Sequence, residues 1–340
     1  MKIKALIAVA LMICSLSGCF NYEEIENGAT VAAITIDKEK EFLVSVEIIK
    51  ASNGGSKSEI VSQKGETVHS ALYSLIGVLN NNIYLGHCES LILSPIVAKS
   101  GIYEILEYFM VNDEFRKDMI VFVSNTEKAS EILEGKNVSG EIVGYEINKS
   151  VDADRDYQGS TVYSPLYKVI SAIEREKGAA LISAIGIENE MVKLDGCIYL
   201  CGDKMAGTLS SKETQVMNLL RNDTKEVKTT LGGNGVTLED ISTEIKEKNG
   251  TVTLKCSFKM STLEIKNGDN EAIKKAEESF TDEAGKLIEK MQKSKKLDVF
   301  KISTLISEKG TDFRERYEGL EIKPKVKIEL KESGITDEKS

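Results

Sequence analysis

The first residues able to do chemistry stand at the amino terminus. Lys2 and Lys4 form a short basic stretch, and Ala5 to Leu16 is apolar apart from Ser15. That run is shorter than the roughly 20 residues a membrane-spanning helix needs, and it fits the apolar core of an export signal. Leu16-Ser17-Gly18-Cys19 follows at once. Small side chains fit a peptidase cleft, and a cysteine directly behind them can take a diacylglycerol on its thiol before cleavage makes it the new amino terminus. The pattern predicts a lipoprotein signal peptide over residues 1–18 and acylation, of the palmitate kind, at Cys19. Each buried methylene contributes about 0.8 kcal/mol, and two chains anchor stably where one is marginal. An export signal with a chance cysteine is the plainer reading; basic charge, apolar length, small residues and cysteine all agree against it.

No other group of reactive residues is as well ordered. Cys14 leaves with the signal, whereas Cys88, Cys197, Cys201 and Cys256 stay in an exported chain, where disulfides are possible. If Cys197 and Cys201 share a strand, their Cα atoms lie roughly 13 Å apart, beyond the ~7 Å a bridge tolerates. The four therefore read as small buried apolar residues, with any disulfide among them left open. A zinc site would have to join His87 and Cys88 to distant thiols, so no metal or other cofactor is expected. A Ser–His–Asp arrangement has only His69 or His87 to draw on, and no Gly-x-Ser-x-Gly elbow occurs. His69 reads as a surface or rim residue of the first helix. Glu89, Asp113 and Glu114 are the carboxylates nearest apolar segments and would have to supply any glycosidase-type pair. The acidic cluster Asp152-Ala153-Asp154-Arg155-Asp156 lacks the glycine and terminal glutamate of a calcium loop and reads as a solvated loop. Gly232-Gly233-Asn234-Gly235 lacks the strand and Lys-Ser/Thr of a phosphate loop, and reads as a hinge or turn.

The composition sets outer bounds. At roughly 150 residues per domain, 340 residues make two or three domains, and 41% hydrophobic with 29% charged residues is enough to bury a core. The formal charge is −10, or −12 once residues 1–18 depart with Lys2 and Lys4. A chain this acidic repels phosphate backbones over a broad surface, which argues against nucleic acid as a partner. No segment after the signal reaches the ~18 apolar residues of a spanning helix, so the rest is expected to be soluble and extracytoplasmic.

The elements that would position these residues alternate between strands and helices. Val31 to Asp37 and Phe42 to Lys50 read as a hairpin, and Val44, Val46 and Ile48 alternate with polar neighbours. Ser52 to Gly65 is rich in Ser, Gly and Lys and reads as an exposed loop. A helix from about Glu66 to Leu79 carries Val68, Leu72, Leu75, Ile76 and Leu79 at helical spacing. Leu91 to Leu93 is a short strand, and Ser94-Pro95 opens a helix to about Met110. Met119 to Val123 is a strand, Thr126 caps a helix to Leu133, and Gly135 to Gly159 reads as loop. Ser164-Pro165 caps a helix to about Lys177, before a strand from Leu181 to Ile187.

Beyond it, Val192 to Leu194 runs into the turn signal Asp195-Gly196. Ile198 to Leu200 and Met205 to Leu209 flank Gly202-Asp203, and Ser210 with Glu213 fits a capping box. Asn249-Gly250 is the strongest hairpin turn, ahead of Val252, Leu254, Cys256, Phe258 and Met260 on one face. A long amphipathic helix from Asn270 carries Ile273, Ala276, Phe280, Ala284, Leu287 and Met291. A further helix carries Val299, Ile302 and Ile306, and Val326, Ile328 and Leu330 form a last strand. The expectation is an α+β chain of three mixed domains, each a sheet with packed helices: residues 19–180, a small hairpin and helix unit at 181–235, and 236–335 with hairpin strands and the long helix.

Taken together, these landmarks resemble the Ger(x)C family of spore germination lipoproteins, the C subunits of nutrient germinant receptors. Cys19 followed by Phe20-Asn21-Tyr22-Glu23-Glu24-Ile25 is similar to the family's opening, with Phe20 where the pattern has Trp. Val31 to Asp37 resembles its early strand ending in Asp. Gly86-His87, Asn112-Asp113-Glu114-Phe115-Arg116 and Ala129 to Leu133 resemble its strand–helix–strand core around an arginine. Gly202 to Leu209, the long helix, Leu297 to Phe300 and Pro324 to Gly334 resemble its C-terminal half. The resemblance implies a three-domain, non-enzymatic subunit, lipid-anchored on the outer leaflet of the spore inner membrane, beside a membrane-embedded A subunit and a transporter-like B subunit. Its role would be assembly or signalling in nutrient-triggered germination. The alternative is an extracytoplasmic solute-binding lipoprotein delivering a ligand to a transporter; the absence of Trp, 6% aromatic residues and a back half of hairpins and a long helix count against it.

Overall fold

A computed structural model of the chain describes residues 29–52, 55–79, 83–136, 140, 142–175, 179–262, 269–295, 297–303 and 313–333. The opening hairpin forms as β1 (Ala29–Lys38) and β2 (Phe42–Ser52). The segment expected as a loop is instead a third strand, β3 (Gly55–Gly65), antiparallel to β2 along its length. Its composition concealed it because it is an edge strand. Ser58, Glu59, Ser62 and Lys64 stay exposed, as suits an edge. Its apolar pair Ile60 and Val61 packs toward opposite faces of the sheet.

Next come α1 (Val68–Leu79), β4 (Ile83–Tyr84) and β5 (Ser90–Leu93). The single helix expected after Pro95 is two, α2 (Pro95–Ser100) and α3 (Tyr103–Val111). Ser94 caps α2 as predicted. The break falls at Gly101, whose φ of 119° favours glycine and where a Cβ would sit 2.7 Å from Asp203 Oδ2. β6 (Ile120–Ser124) precedes α4 (Ser130–Glu134). This helix starts four residues after the predicted cap, because Thr126 Oγ1 donates to Lys128 O while the carboxylate of buried Asp37 accepts from Ala129 N (2.7 Å) and Ser130 N (3.1 Å).

The largest departure is α5 (Val143–Tyr157), a helix where the acidic cluster suggested loop. Its buried residues are Val143, Gly144, Ile147, Val151 and Asp154, a narrow stripe on a helix that also carries Glu146, Lys149, Asp152, Arg155 and Asp156. α6 (Leu166–Glu174) follows, uncapped by Ser164, whose hydroxyl donates to Val121 O instead. Then come β7 (Leu181–Glu188), β8 (Met191–Cys201) and β9 (Lys204–Leu209). Asp195-Gly196 is no turn: it lies inside β8, where the register against β7 shifts and Gly196 takes φ 76°. The turn falls earlier, at Asn189-Glu190, both with positive φ.

These strands make one mixed sheet in the order β3-β2-β1-β5-β6-β7-β8-β9, with β4 beside the start of β1. β1, β5, β6 and β7 run parallel, and the flanks are antiparallel. α1, α2, α3 and α6 cover one face, with Leu72, Val97, Phe109 and Val169 packed on Ile34, Val46, Leu91 and Val121. α4 and α5 cover the other, with Ile132, Ile147 and Val151 on Ala33, Ile92 and Phe122. Helices on both faces explain why β1 is apolar on both sides.

The second body starts with α7 (Ser211–Arg221), which has the predicted Ser210–Glu213 capping box. β10 (Val227–Leu231), β11 (Asn234–Lys248), β12 (Thr251–Thr262) and, after α8 (Asp269–Lys295) and α9 (Phe313–Glu318), β13 (Glu321–Ser333) form a four-stranded sheet in chain order. Asn249-Gly250 makes the predicted turn, and Gly232-Gly233, at φ 56° and 84°, makes a second tight turn. Val252, Leu254, Cys256, Phe258 and Met260 face α8, whose Phe280 meets Phe258 edge-on at 5.1 Å. Val299 and Ile302 are buried, and Ile306 lies outside the described residues. The same core takes in Cys197, Tyr199 and Leu209 of β8 and β9 together with α7, so both sheets share it. The α+β class expected from the sequence is the one the chain adopts.

Glu47 is fully buried on β2, and its carboxylate accepts from Val143 N and Gly144 N, each at 2.8 Å, at the start of α5. Glu47→Ala removes the acceptor from two buried amides and should cost about 3 kcal/mol in denaturant unfolding. Glu39→Ala, at an exposed surface pair, should leave the midpoint where it is.

Candidate functional site

Because β1, β5, β6 and β7 are parallel, their amino-terminal ends share one edge of the sheet. Three features gather there. The first is a groove of about 470 Å³ beside β4, lined by Leu72, Tyr73, Ile76, Ile83, Tyr84 and Glu114. It adjoins the start of β1, since Ala29 and Thr30 pair with Ile83 and Tyr84. Tyr73 Oη donates to Glu114 Oε2 at 2.7 Å, and this bond holds the phenol above its usual range. His69 Nδ1 lies 3.3 Å from Tyr108 Oη, whose pKa burial pushes up to about 12. Ile76 and Val78 of α1 and Val111 at the end of α3 are exposed.

The second feature centres on Arg116. Its guanidinium donates to Asp118 Oδ1 and Oδ2 at 2.8 and 2.9 Å and to Glu89 Oε1 at 3.2 Å. Asn148 Nδ2, from α5, donates to Glu89 Oε2 at 3.1 Å. The two-pronged bond lowers the Asp118 pKa and raises that of Arg116. The charged arms of this cluster are bonded to one another and to Asn148, so it joins three segments.

The third is a cleft of about 740 Å³ at the start of β7, between α6, α7 and the segment leading out of α5. Asp154, buried at the end of α5, shapes that segment by accepting from Ser160 Oγ (2.5 Å) and Thr161 N (2.9 Å). Burial lifts its carboxyl above the usual range despite those bonds. Thr161 Oγ1 donates to Gly196 O at 3.0 Å, inside the β8 irregularity. Tyr163, next along, has the Arg155 guanidinium 4.3 Å and the Lys168 ammonium 4.6 Å from its ring centre. Opposite, Arg221 Nε and Lys301 Nζ donate to the two oxygens of Asp223 at 2.6 and 2.7 Å, and Arg221 Nη1 to Val299 O at 2.7 Å. Burial pulls the Asp223 pKa up, but Arg221 and Lys301 overcome it, and the carboxyl titrates below its usual range. With Arg175, five cations and one carboxylate line the cleft among the described residues.

Cys19, the predicted lipid site, lies outside the described residues. Cys88, Cys197 and Cys256 are buried and Cys201 is exposed, so Cys201 is not the core residue it was expected to be; all four are free thiols. A strand end at the tip of β8 turns it outward. Burial pushes the thiols of Cys88 up to about 12 and of Cys197 and Cys256 up to about 11. His69, His87 and Asp113 are exposed, and the structure does not gather His69, His87, Glu89, Asp113 and Glu114 into one site. Among the described residues no three His, Cys, Asp or Glu side chains are grouped to hold a metal ion. The cleft cations were invisible to motif reading because they come from positions 155 to 301 and meet only in the fold.

Two family models match the chain, one described as spore germination protein N-terminal domain over residues 21–187 and one as spore germination B3/GerAC-like, C-terminal, over residues 195–334. The crystal structure of the GerBC protein is similar across 87% of this chain and 96% of that one, with a TM-score of 0.53 and 16% identity, a likeness of fold. No curated protein matches the chain.

Two measurements check the site. In the native protein Cys201 should be the one of the four described thiols that a disulfide reagent labels, with Cys88, Cys197 and Cys256 reacting after unfolding; Cys201→Ser should abolish native labelling. Asp223→Asn should melt below the parent at pH 7. A lowered carboxyl pKa stabilises above the unfolded value of about 3.9, so the difference should close as pH falls below it. A gap in melting temperature that ignores pH would contradict the pairing.

Proposed function

The chain belongs to the Ger(x)C family of spore germination proteins, and from that premise we propose that it is the lipid-anchored, non-enzymatic C subunit of a germinant receptor. The observation that carries the reading is the order of parts: a lipobox ending at Cys19, then the two family domains in succession. No helix among the described residues is long and apolar enough to cross a membrane, so attachment in this reading rests on the acyl group at Cys19. Ten residues lead from Cys19 to Ala29, a reach of at most ~35 Å. The edge carrying the groove and Arg116 is where β1 begins, and is therefore the part of the body the tether brings nearest to the bilayer.

Confinement to a surface raises the effective concentration of the body toward membrane partners. The A and B subunits of the receptor are the partners proposed, on the outer face of the spore inner membrane, with the subunit acting in assembly or signalling. The clusters at the sheet edge support a structural role, because their charged arms are bonded to one another. Cys19→Ala should shift the protein from the membrane to the soluble fraction and abolish the germination response to nutrient. Intact mass of the parent should show the acylated cysteine. A Cys19→Ala protein that still fractionates with membranes and still supports germination would end this reading.

A further inference from the structure

We propose that the cleft between α6 and α7 is a phosphate-binding site whose occupant is the headgroup of an anionic phospholipid. In a chain of formal charge −10, a cavity whose described lining carries five cations and one carboxylate is a local concentration of positive charge, with Arg155 also paired to Asp152 at 3.5 Å. That concentration is built in. Arg155 and Lys168 both lie against the ring of Tyr163, which concentrates two positive charges where unaided repulsion would separate them. Arg221 and Lys301 both bond to the carboxylate of Asp223, which holds these two cations together at the opposite wall. Among the described residues, Lys168 and Arg175 form no ion pair: Lys168 lies over the Tyr163 ring, and Arg175 Nη2 donates to Ser171 Oγ at 3.4 Å. Guanidinium forks and ammonium groups converging on a cavity of about 740 Å³ suit a phosphate, with room for the glycerol it bears.

The position selects the source. The cleft lies at the amino-terminal end of β7, on the edge of the sheet from which β1 begins and three strands along from it. That is a lateral step of about 14 Å, well inside the span of the segment behind Cys19. The choice of lipid over free phosphate thus rests on the tethered reading above; the phosphate chemistry does not.

The test uses the chain from residue 19 onward with Cys19→Ala, which retains every described element and removes the acyl anchor. It is sedimented with phosphatidylcholine vesicles with and without phosphatidylglycerol, and titrated with inorganic phosphate by calorimetry. Binding should be about tenfold tighter with phosphatidylglycerol, compete with phosphate, and fall back to the neutral-vesicle level in K168E/R175E. K274E/K286E, which reverses two exposed charges on α8, should bind like the parent. Phosphate binding lost in K168E/R175E, without preference for phosphatidylglycerol, supports the site and overturns the lipid source. No binding of either kind, or equal loss in both double variants, overturns the site. Fractionation of the acylated parent is scored separately, so failure here leaves the Cys19 reading standing.

Discussion

The buried carboxylate of Glu47 is the interaction on which the rest of the first body depends. An ion removed from water costs several kcal/mol unless charge or hydrogen bonds replace its hydration. Here the replacement is the amino-terminal end of α5, where two amides and the positive end of the helix dipole converge on the two carboxylate oxygens. The helix can come this close to β1 because residue 144 is glycine: a Cβ there would lie 2.7 Å from Ala33 Cβ and 2.8 Å from Ala32 O. Ser90 Oγ then donates to Gly144 O at 2.8 Å and pins β5 to the same point. With its first turn fixed, α5 carries Asn148 to Glu89 and Asp154 to the segment that forms the cleft wall. One capped helix thus sets both the Arg116 cluster and one side of the cleft.

The same device recurs. Asp37 caps α4 across the sheet, Asp154 holds residues 160 and 161, and Asp298 accepts from Phe300 N and Ser303 N at 3.0 and 2.6 Å. Each is buried and each faces backbone amides. Part of the negative charge that dominates the composition therefore does no surface work at all. It satisfies helix starts and turns that lack a local Ser or Thr cap, which is why cap rules applied along the chain misplaced the start of α4 and missed α5. For α4 and α5 the capping carboxylates lie 92 to 97 residues from the amides they bind, beyond any window of local sequence.

Legibility followed this division. Where both halves of a signal were local, the sequence sufficed: Asn249-Gly250 with its flanking strands, Ser94-Pro95, the Ser210–Glu213 box and the apolar stripe of α8 all stand where predicted. Val143, Ile147 and Val151 do recur at helical spacing, but a stripe this narrow inside a charged segment looks like loop until the neighbouring sheet supplies the second wall. β3 was hidden for the converse reason, since an edge strand needs few apolar residues. The Arg116 cluster was half visible, as its arginine and Glu89 had been singled out, but Asn148 lay in the supposed loop.

The cleft shows what a shared core does for a two-sheet chain. α7 packs its Val216, Leu219 and Leu220 into the core formed with the second sheet, while Gln215 and Asn218 donate to the carbonyls of Gln158, Gly159 and Thr161 on the first body. Asn222, left-handed at φ 59°, ends the helix and turns the chain so that Asp223 meets Arg221 and Lys301. Arg155 and Lys168 belong to the first body and are held by Tyr163. The positive charge of the cleft is therefore assembled from both sides of one joint, and its strength depends on the two sheets keeping their relative position. The apolar core behind α7 fixes that position, so packing that looks remote from the cleft is what brings its charges together.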